Sequence, residues 1–273
     1  MVELGGISRA SFYRCEEEGS PKVDRDMDLR DAIQRIALKW PCYGRPRITA
    51  ELKRKGWKVG PNRVRRIMRE DNLLCVRKRK FVVTTTDSAH GRKVYPNLAS
   101  EVELHGINQL WVADITYIRL EVEFVYLAVV IDAYSRRVIG WALDRTLEDD
   151  LPLQALRIAL EVRQPDSGWV HHSDRGSQYA SQDYTELLKA RGCRISMSHK
   201  ASPWENGGCE SWMRTLKYEE VYRQEYRDLI EARACLGVFI ENVYNQERLH
   251  SALGYRPPAE FERDLANAKA CGD

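Results

Sequence analysis

The sequence predicts an α/β protein: a mixed five-stranded sheet with helices on both faces, preceded by a small helical domain. Apolar residues recur with helical period as far as Met68, give way after residue 100 to runs of β-branched and aromatic residues, and then alternate between the two patterns. Between the two regimes lies FVVTTTDSAHGRKVYPNLAS, residues 81–100, rich in Thr, Ser, Pro and Gly without helical period, which reads as a linker. Charge changes sign there too: residues 1–100 carry 23 Lys and Arg against 12 Asp and Glu, and residues 101–273 carry 20 against 28.

The expected organisation is residues 1–19 as the end of a partial helix-turn-helix, 20–80 as a helical domain, 81–100 as linker, 101–260 as an α/β core with a helical C-terminal part, and 261–273 as a tail. In the first segment, Gly6 to Tyr13 (GISRASFY) reads as the last helix of a helix-turn-helix opening at a Ser cap, with its partner helices expected upstream of Met1. From Asp24 to Trp40, Leu29, Ile33, Ile36, Ala37 and Trp40 fall on one helix face, which Pro41 stops. A second short helix runs around Ile48 to Lys55 and ends at Gly56, and Pro61 opens a third that carries Val64, Ile67 and Met68 inward. Outside that stripe lie Arg63, Arg65, Arg66 and Arg69. A recognition helix entering a DNA groove presents such a face, and so does a plain solvated helix. The local excess of 14 basic over 3 acidic side chains within residues 41–80 is the footprint of phosphate-backbone contact.

After the linker, QLWVADITYIRL, EFVYLAVVIDAY and RRVIGWALD read as three strands joined by short turns. The amphipathic helix LEDDLPLQALRIALEVR follows, with Leu153, Leu156, Ala159 and Leu160 inward. Then come the strand GWVHHSD, the helix YASQDYTELLKARG, the strand CRISMS, the Gly-rich loop SPWENGG and a long helical part from Cys209 to about Leu253. Three antiparallel strands followed by helix, strand, helix, strand, helix is the order of the ribonuclease H-like α/β fold.

Three acids stand out in this frame. Asp114 lies mid-strand among apolar neighbours, where an unpaired carboxylate is costly. Asp174 closes the strand GWVHHSD at its C-terminal edge, where open α/β sheets place ligands, and Gly176 permits a tight turn after it. Glu210 sits in the first turn of a helix behind Gly207 and Gly208. Taken singly, a bond to a neighbouring strand or loop accounts for Asp114, turn capping for Asp174 and a charge–dipole role for Glu210. Together, carboxylates on two strands and one helix can converge at one sheet edge, where like charges raise one another's pKa unless cations neutralise them. Oxygen ligands suit a hard cation such as magnesium, with manganese able to substitute. Two such ions about 3.5–4 Å apart stabilise the attacking and leaving oxygens of an in-line phosphoryl displacement.

The blocks WVADITYI, HHSDRGSQY and ENGGCESWMRTLK resemble the signature blocks of the DDE superfamily of transposases and retroviral integrases. They are most similar to the second-reading-frame transposase of insertion sequence family three. Between Asp174 and Glu210 lie 35 residues, the interval for which that group is known. YGRPRITAELKRKG and VRRIMRE resemble the family's helix-turn-helix segment, and NQERLHSALGYRPPAEF its C-terminal block, so the resemblance spans nearly the whole chain. It implies an enzyme that cuts at the ends of its own mobile element and joins the freed 3′-hydroxyl to another phosphodiester. Asp114, Asp174 and Glu210 would hold two magnesium ions per active site. Lys217, seven residues after Glu210 on the same helix face, and Arg214 are implied as DNA contacts, with a solvent-facing role as the alternative. The implied partners are DNA (terminal inverted repeats and target), further copies of the chain on that DNA, and a first-reading-frame protein or fusion that supplies end recognition. The family's usual His at the position of His172 shapes the strand end, while Arg248 and His250 read as packing or capping residues. One departure concerns Glu205-Asn206-Gly207-Gly208, where the family more often has Asp-Asn-Ala.

Other chemistries are disfavoured. Seven scattered cysteines without a C-x-x-C pair fit neither a disulfide framework nor a zinc site, and no Walker A, dinucleotide or nucleophile-elbow motif is present. With no apolar window of membrane-spanning length and no signal peptide, the expected location is the cytoplasm, associated with the nucleoid. Two other readings remain from sequence alone: a DNA-binding regulator that does not cut, and a nuclease that hydrolyses without joining.

Overall fold

The computed structural model describes residues 26–73, 92–199 and 203–270. The helix expected over Gly6 to Tyr13, most of the linker and Cys15, Cys75 and Cys271 lie outside the described residues. The chain divides into two units, Met1–Val76 and Arg77–Asp273.

In the first unit, α1 (Met27–Lys39), α2 (Arg45–Arg54) and α3 (Pro61–Glu70) pack around Leu29, Ile33, Ile36, Ile48, Leu52, Val64 and Ile67, all buried. Prolines open α2 and α3, where the missing N–H costs nothing. Helix α2 ends as its glycine predicts: Gly56 takes φ 88°, and the amides of Gly56 and Trp57 bond back to Lys53 and Leu52.

The second unit is the expected mixed sheet. Strands β1 (Leu110–Arg119), β2 (Phe124–Asp132), β3 (Val138–Asp144), β4 (Val170–Ser173) and β5 (Arg194–Met197) lie in the order β3-β2-β1-β4-β5. β1 pairs antiparallel with β2 and parallel with β4, which pairs parallel with β5. Helices α4 (Asp150–Arg163) and α5 (Gln182–Ala190) cover one face through Trp111, Ala113, Leu156, Ala159, Tyr184 and Leu188. Gly140 of β3 sets how closely α4 approaches, because a Cβ there would stand 2.2 Å from the Ala155 carbonyl oxygen. The other face is covered by α6 (Gly207–Glu219), α7 (Leu229–Val238) and a π-helical run, Phe239–Glu247, packed on Val112, Val129 and Ile131.

The long C-terminal helical part is therefore broken. The π-helix gives way to an extended stretch after Glu247, and residues 261–270, set apart by sequence as a tail, belong to α8 (Pro258–Ala270). That helix is anchored: Glu262 is buried between Arg137, at 2.7 Å, and Arg163. Asn245 of the π-helix uses its side-chain amide as a strand would, accepting from the Val138 N–H at 3.1 Å and donating to the Val138 carbonyl at 3.0 Å.

Candidate active site

Two parallel strands bring the first two carboxylates together. The β1–β4 register pairs Leu110 with Val170 and Val112 with His172. Carried two residues further, it sets Asp114 opposite Asp174, beyond the last paired residues and on the side of the sheet that α6 covers. Asp174 follows β4 directly, and its Oδ1 accepts the Gly176 N–H at 3.0 Å. Asp114 Oδ1 accepts the N–H of Ile115 at 2.9 Å. Burial pushes the Asp114 carboxyl up to about 7 and the charge of Asp174 adds to this; the Ile115 amide and Lys217 pull it down, and Glu210 raises it least.

Glu210 comes from the first turn of α6. Its carboxylate is exposed and accepts from Arg214 Nη2 at 3.3 Å. Among the described residues, no group of three or more His, Cys, Asp or Glu side chains stands close enough to hold a metal ion in common. The structure thus joins Asp114 with Asp174 and leaves Glu210 turned towards Arg214. Lys217 lies half-buried with its Nζ 4.5 Å from the Tyr117 ring centroid; desolvation lowers its pKa, while Asp114 raises it. Cys209 is buried beside the acids, and burial together with Asp114 and Asp174 holds its thiol protonated. The donors at this edge are therefore oxygens.

Two residues here escape sequence reasoning. Asn206 stands at the N-cap of α6, yet it makes no capping bond. Instead its Nδ2 donates to the Ala113 carbonyl at 3.1 Å, tying the start of α6 to β1 beside Asp114, and its Oδ1 is buried with no partner among the described residues. Tyr179 is also buried, its hydroxyl without a partner among the described residues and within charge reach of Asp114 and Asp174. No local pattern announces either, because a buried polar atom without a partner is recognisable only after packing is known.

The two histidines before Asp174 serve the strand. Ser196 Oγ accepts from the amides of Leu98 and Ala99, so its proton goes to His172 Nδ1, 2.8 Å away, and His172 carries its own proton on Nε2. His171 Nε2 lies 2.9 Å from the Tyr184 hydroxyl. Burial holds the pKa values down, to about 3 for His171 and about 4 for His172, so both rings are neutral.

In the first unit the four α3 arginines are exposed and divide into two pairs. Arg63 and Arg66 both bond the carboxylate of Asp26, which sits just before α1, and Arg66 also reaches Glu70 at 3.2 Å. Arg65 and Arg69 have no side-chain partner among the described residues.

Comparison with known proteins gives a consistent picture. Residues 105–203 match the family described as "Integrase core domain", residues 191–258 match a second family of that description, and residues 24–81 match the "HTH-like domain". Over 264 residues the chain is 35% identical to "Insertion element IS600 uncharacterized 31 kDa protein" of Shigella sonnei, covering 96% of this chain and 97% of that one. It is 38% identical over 221 residues to "Transposase InsF for insertion sequence IS3A" of Escherichia coli strain K12, covering 81% and 76%. Among solved structures it is similar to a chain of a simian T-cell lymphotropic virus intasome in complex with PP2A regulatory subunit B56 gamma. That match has a TM-score of 0.49 and 14% identity, covering 85% of this chain and 74% of that one.

Proposed function

The chain belongs to the IS3-family DDE transposases, DNA-transposing polynucleotidyl transferases with an integrase core, and on that premise we propose that Asp114, Asp174 and Glu210 are its catalytic carboxylates. The reaction is metal-dependent cleavage at the ends of an insertion sequence, followed by transfer of the freed 3′-hydroxyl to another phosphodiester. The observation that carries this reading is the juxtaposition of Asp114 and Asp174 across β1 and β4, with Asp114 pushed up to about 7 by burial and by its neighbour. A carboxylate so placed is stabilised in its ionised form by a nearby cation.

The donor chemistry fits magnesium or manganese, since the edge offers oxygens, a protonated thiol and neutral, packed histidines. Asp114 and Asp174 would hold ions between them, and Glu210 would complete the second position by leaving Arg214, an exposed pair of little strength. Two bound ions supply charge neutralisation at the attacking and leaving oxygens. The chain's own residues do the positioning: Asn206 fixes the start of α6 against β1, and Lys217 and Arg214 contact DNA phosphates. In the helical domain, taken as residues 20–80 before a linker, Arg65 and Arg69 contact the DNA backbone, while Arg63 and Arg66 brace α3 through Asp26. The protein works as a homo-oligomer on terminal repeats and target DNA, with a first-reading-frame protein or fusion. It is cytoplasmic and nucleoid-associated; no helix among the described residues is long and apolar enough to cross a membrane.

The test is incubation with labelled element ends and magnesium, with gels read for both cleavage and joining. Chelation stops both. Asp174→Asn abolishes cleavage and leaves DNA binding intact or slightly tighter; near wild-type cutting by this variant would remove Asp174 from the assignment.

A further inference from the structure

The turn between β2 and β3 holds an arginine in a backbone conformation that L side chains avoid. Arg136 has φ 61°, in the left-handed region where Gly, Asn or Asp is usual. Its surroundings impose that turn. The buried Asp132 carboxylate accepts from the amides of Asn108, Tyr134 and Ser135 at 2.7, 3.0 and 2.8 Å. The Arg136 N–H donates to the Asp132 carbonyl at 2.8 Å, and the Tyr244 hydroxyl donates to the Arg136 carbonyl at 3.1 Å. All of these bonds are to backbone groups, so glycine would make the same turn without the strain.

What arginine adds is its side chain. Nη1 lies 3.1 Å from where a Cβ on Gly208 would stand, against the first turn of α6, and Val112 Cγ2 lies 3.7 Å from the same point. Val112 shares its side of β1 with Asp114. The charge of Arg136 reaches the buried Cys209 thiol, as do those of Asp114 and Asp174. A cation at the start of a helix is opposed by the helix dipole. Among the described residues the guanidinium has neither an acceptor nor an acidic partner, although it is only partly buried. An anion from outside the chain would answer both the unfavourable dipole and the unpaired charge, and would give the strained turn a purpose. Guanidinium forks match phosphate oxygens.

We propose that Arg136 is a substrate-binding residue that holds a phosphodiester of the DNA lying over the Asp114–Asp174 edge, and that the strained turn exists to aim it. This rests on the reading of that edge as the reaction centre. It adds a third element, the β2–β3 turn, to the strands and helix that carry the carboxylates. Strain kept at a site of function is a known economy of folds.

The experiment uses the full chain and a labelled duplex bearing the element's terminal repeat, with cleavage followed against DNA concentration at several salt concentrations. Arg136→Gly should raise the Tm by about 2–4 °C through relief of strain. It should also raise the half-saturating DNA concentration roughly tenfold, as expected for loss of one charge-assisted bond. Its salt dependence should flatten by about 0.9 in the log–log slope, with the rate at saturating DNA preserved. Arg136→Gln should show the same weakening without the gain in Tm, and Arg136→Lys should keep part of the affinity. A half-saturating concentration and slope unchanged in both the Gly and Gln variants would overturn the proposal, as would a lower Tm for Arg136→Gly. Cleavage by the wild type but not by Asp174→Asn, run alongside, shows that the reading of the edge stands whichever way Arg136 falls.

Discussion

Helix α6 is held in opposite ways at its two ends. At the C-terminal end the buried Arg248 grips Glu219 with two bonds, Nε to Oε2 at 2.7 Å and Nη2 to Oε1 at 2.8 Å. It also reaches Thr215 Oγ1 at 3.4 Å and lies over the Tyr244 ring. At the N-terminal end Glu210 is exposed beside a surface arginine, the N-cap side chain makes no capping bond, and among the described residues the buried Asn206 oxygen finds no partner. Rigidity and chemistry are separated along a single helix. The locked end fixes the register of α6 on the sheet, and the open end keeps polar atoms in reserve for a ligand. The NQERLHSALGYRP block, whose sequence suggests only packing or capping, supplies the lock.

The largest effect should come from breaking the locked end. Arg248→Met leaves the largely covered Glu219 carboxylate unpaired, and should cost about 3–5 kcal/mol of stability, read by urea unfolding. Glu210→Gln makes the opposite test. It should change stability by no more than about 0.5 kcal/mol, because the side chain is exposed. Yet it should slow cleavage on the order of 10²–10³-fold, the usual cost of removing one electrostatic contributor at a reaction centre. Stability losses of similar size at the two positions would erase the distinction between the ends.

A smaller effect separates the ends by pH. The folded-state value of Asp114, about 7, lies above the ordinary 3.8. Between those values the native state binds more protons than the unfolded chain, so stability falls as pH rises from about 4 to 7. The cost is complete above pH 7 and absent below about 4. His171 and His172, held down by burial, act in the opposite sense, so the difference between wild type and Asp114→Asn is the readout. In metal-free buffer the variant should be more stable by about 1–3 kcal/mol at pH 8, with the gap closing towards pH 5. Saturating magnesium should close it at pH 8 as well. Parallel pH profiles for the two proteins would show that Asp114 ionises without penalty.

Much of this architecture is legible in the sequence because its causes are local. The runs WVADITYI and FVYLAVVI are β-branched and aromatic, Leu153, Leu156, Ala159 and Leu160 repeat at helical spacing, and Pro61 and Gly56 mark where helices begin and end. Of the three acids only Asp114 is at odds with its setting, an Asp inside a strand; Asp174 at a strand end and Glu210 in a first helical turn suit theirs, and gain meaning only together with it and with the 35 residues between them. The rest depends on distant partners. Arg248 finds Glu219 across 29 residues, Glu262 finds Arg137 across 125, and Asn245 completes Val138 across 107. Nothing in FIENVYNQE distinguishes a π-helix from an α-helix, since the choice lies in how Asn245 and Tyr244 must reach the β2–β3 turn. Arg63 and Arg66 look equivalent to Arg65 and Arg69 until Asp26 is brought against them.

The smallest predicted effect concerns the two glycines that open α6. The structure separates the two positions. A Cβ on Gly207 would meet nothing within 4 Å, and its φ is not among the positive values, so a side chain fits there without strain. Gly207→Ala should therefore stabilise the protein by about 0.4–1 kcal/mol, chiefly by restricting the unfolded chain, and leave cleavage unchanged. At Gly208 an added Cβ would come within 3.1 Å of Arg136 Nη1, the end of a flexible side chain that can move away. Gly208→Ala should then be close to neutral in stability but should weaken DNA binding, because the guanidinium is displaced from the place its strained turn gives it. Urea unfolding and DNA titration of the two variants side by side decide the matter. A stability loss for Gly207→Ala would mean that the start of α6 requires glycine for its backbone, and equal DNA binding by both variants would mean that room for Arg136 is not what the second glycine provides.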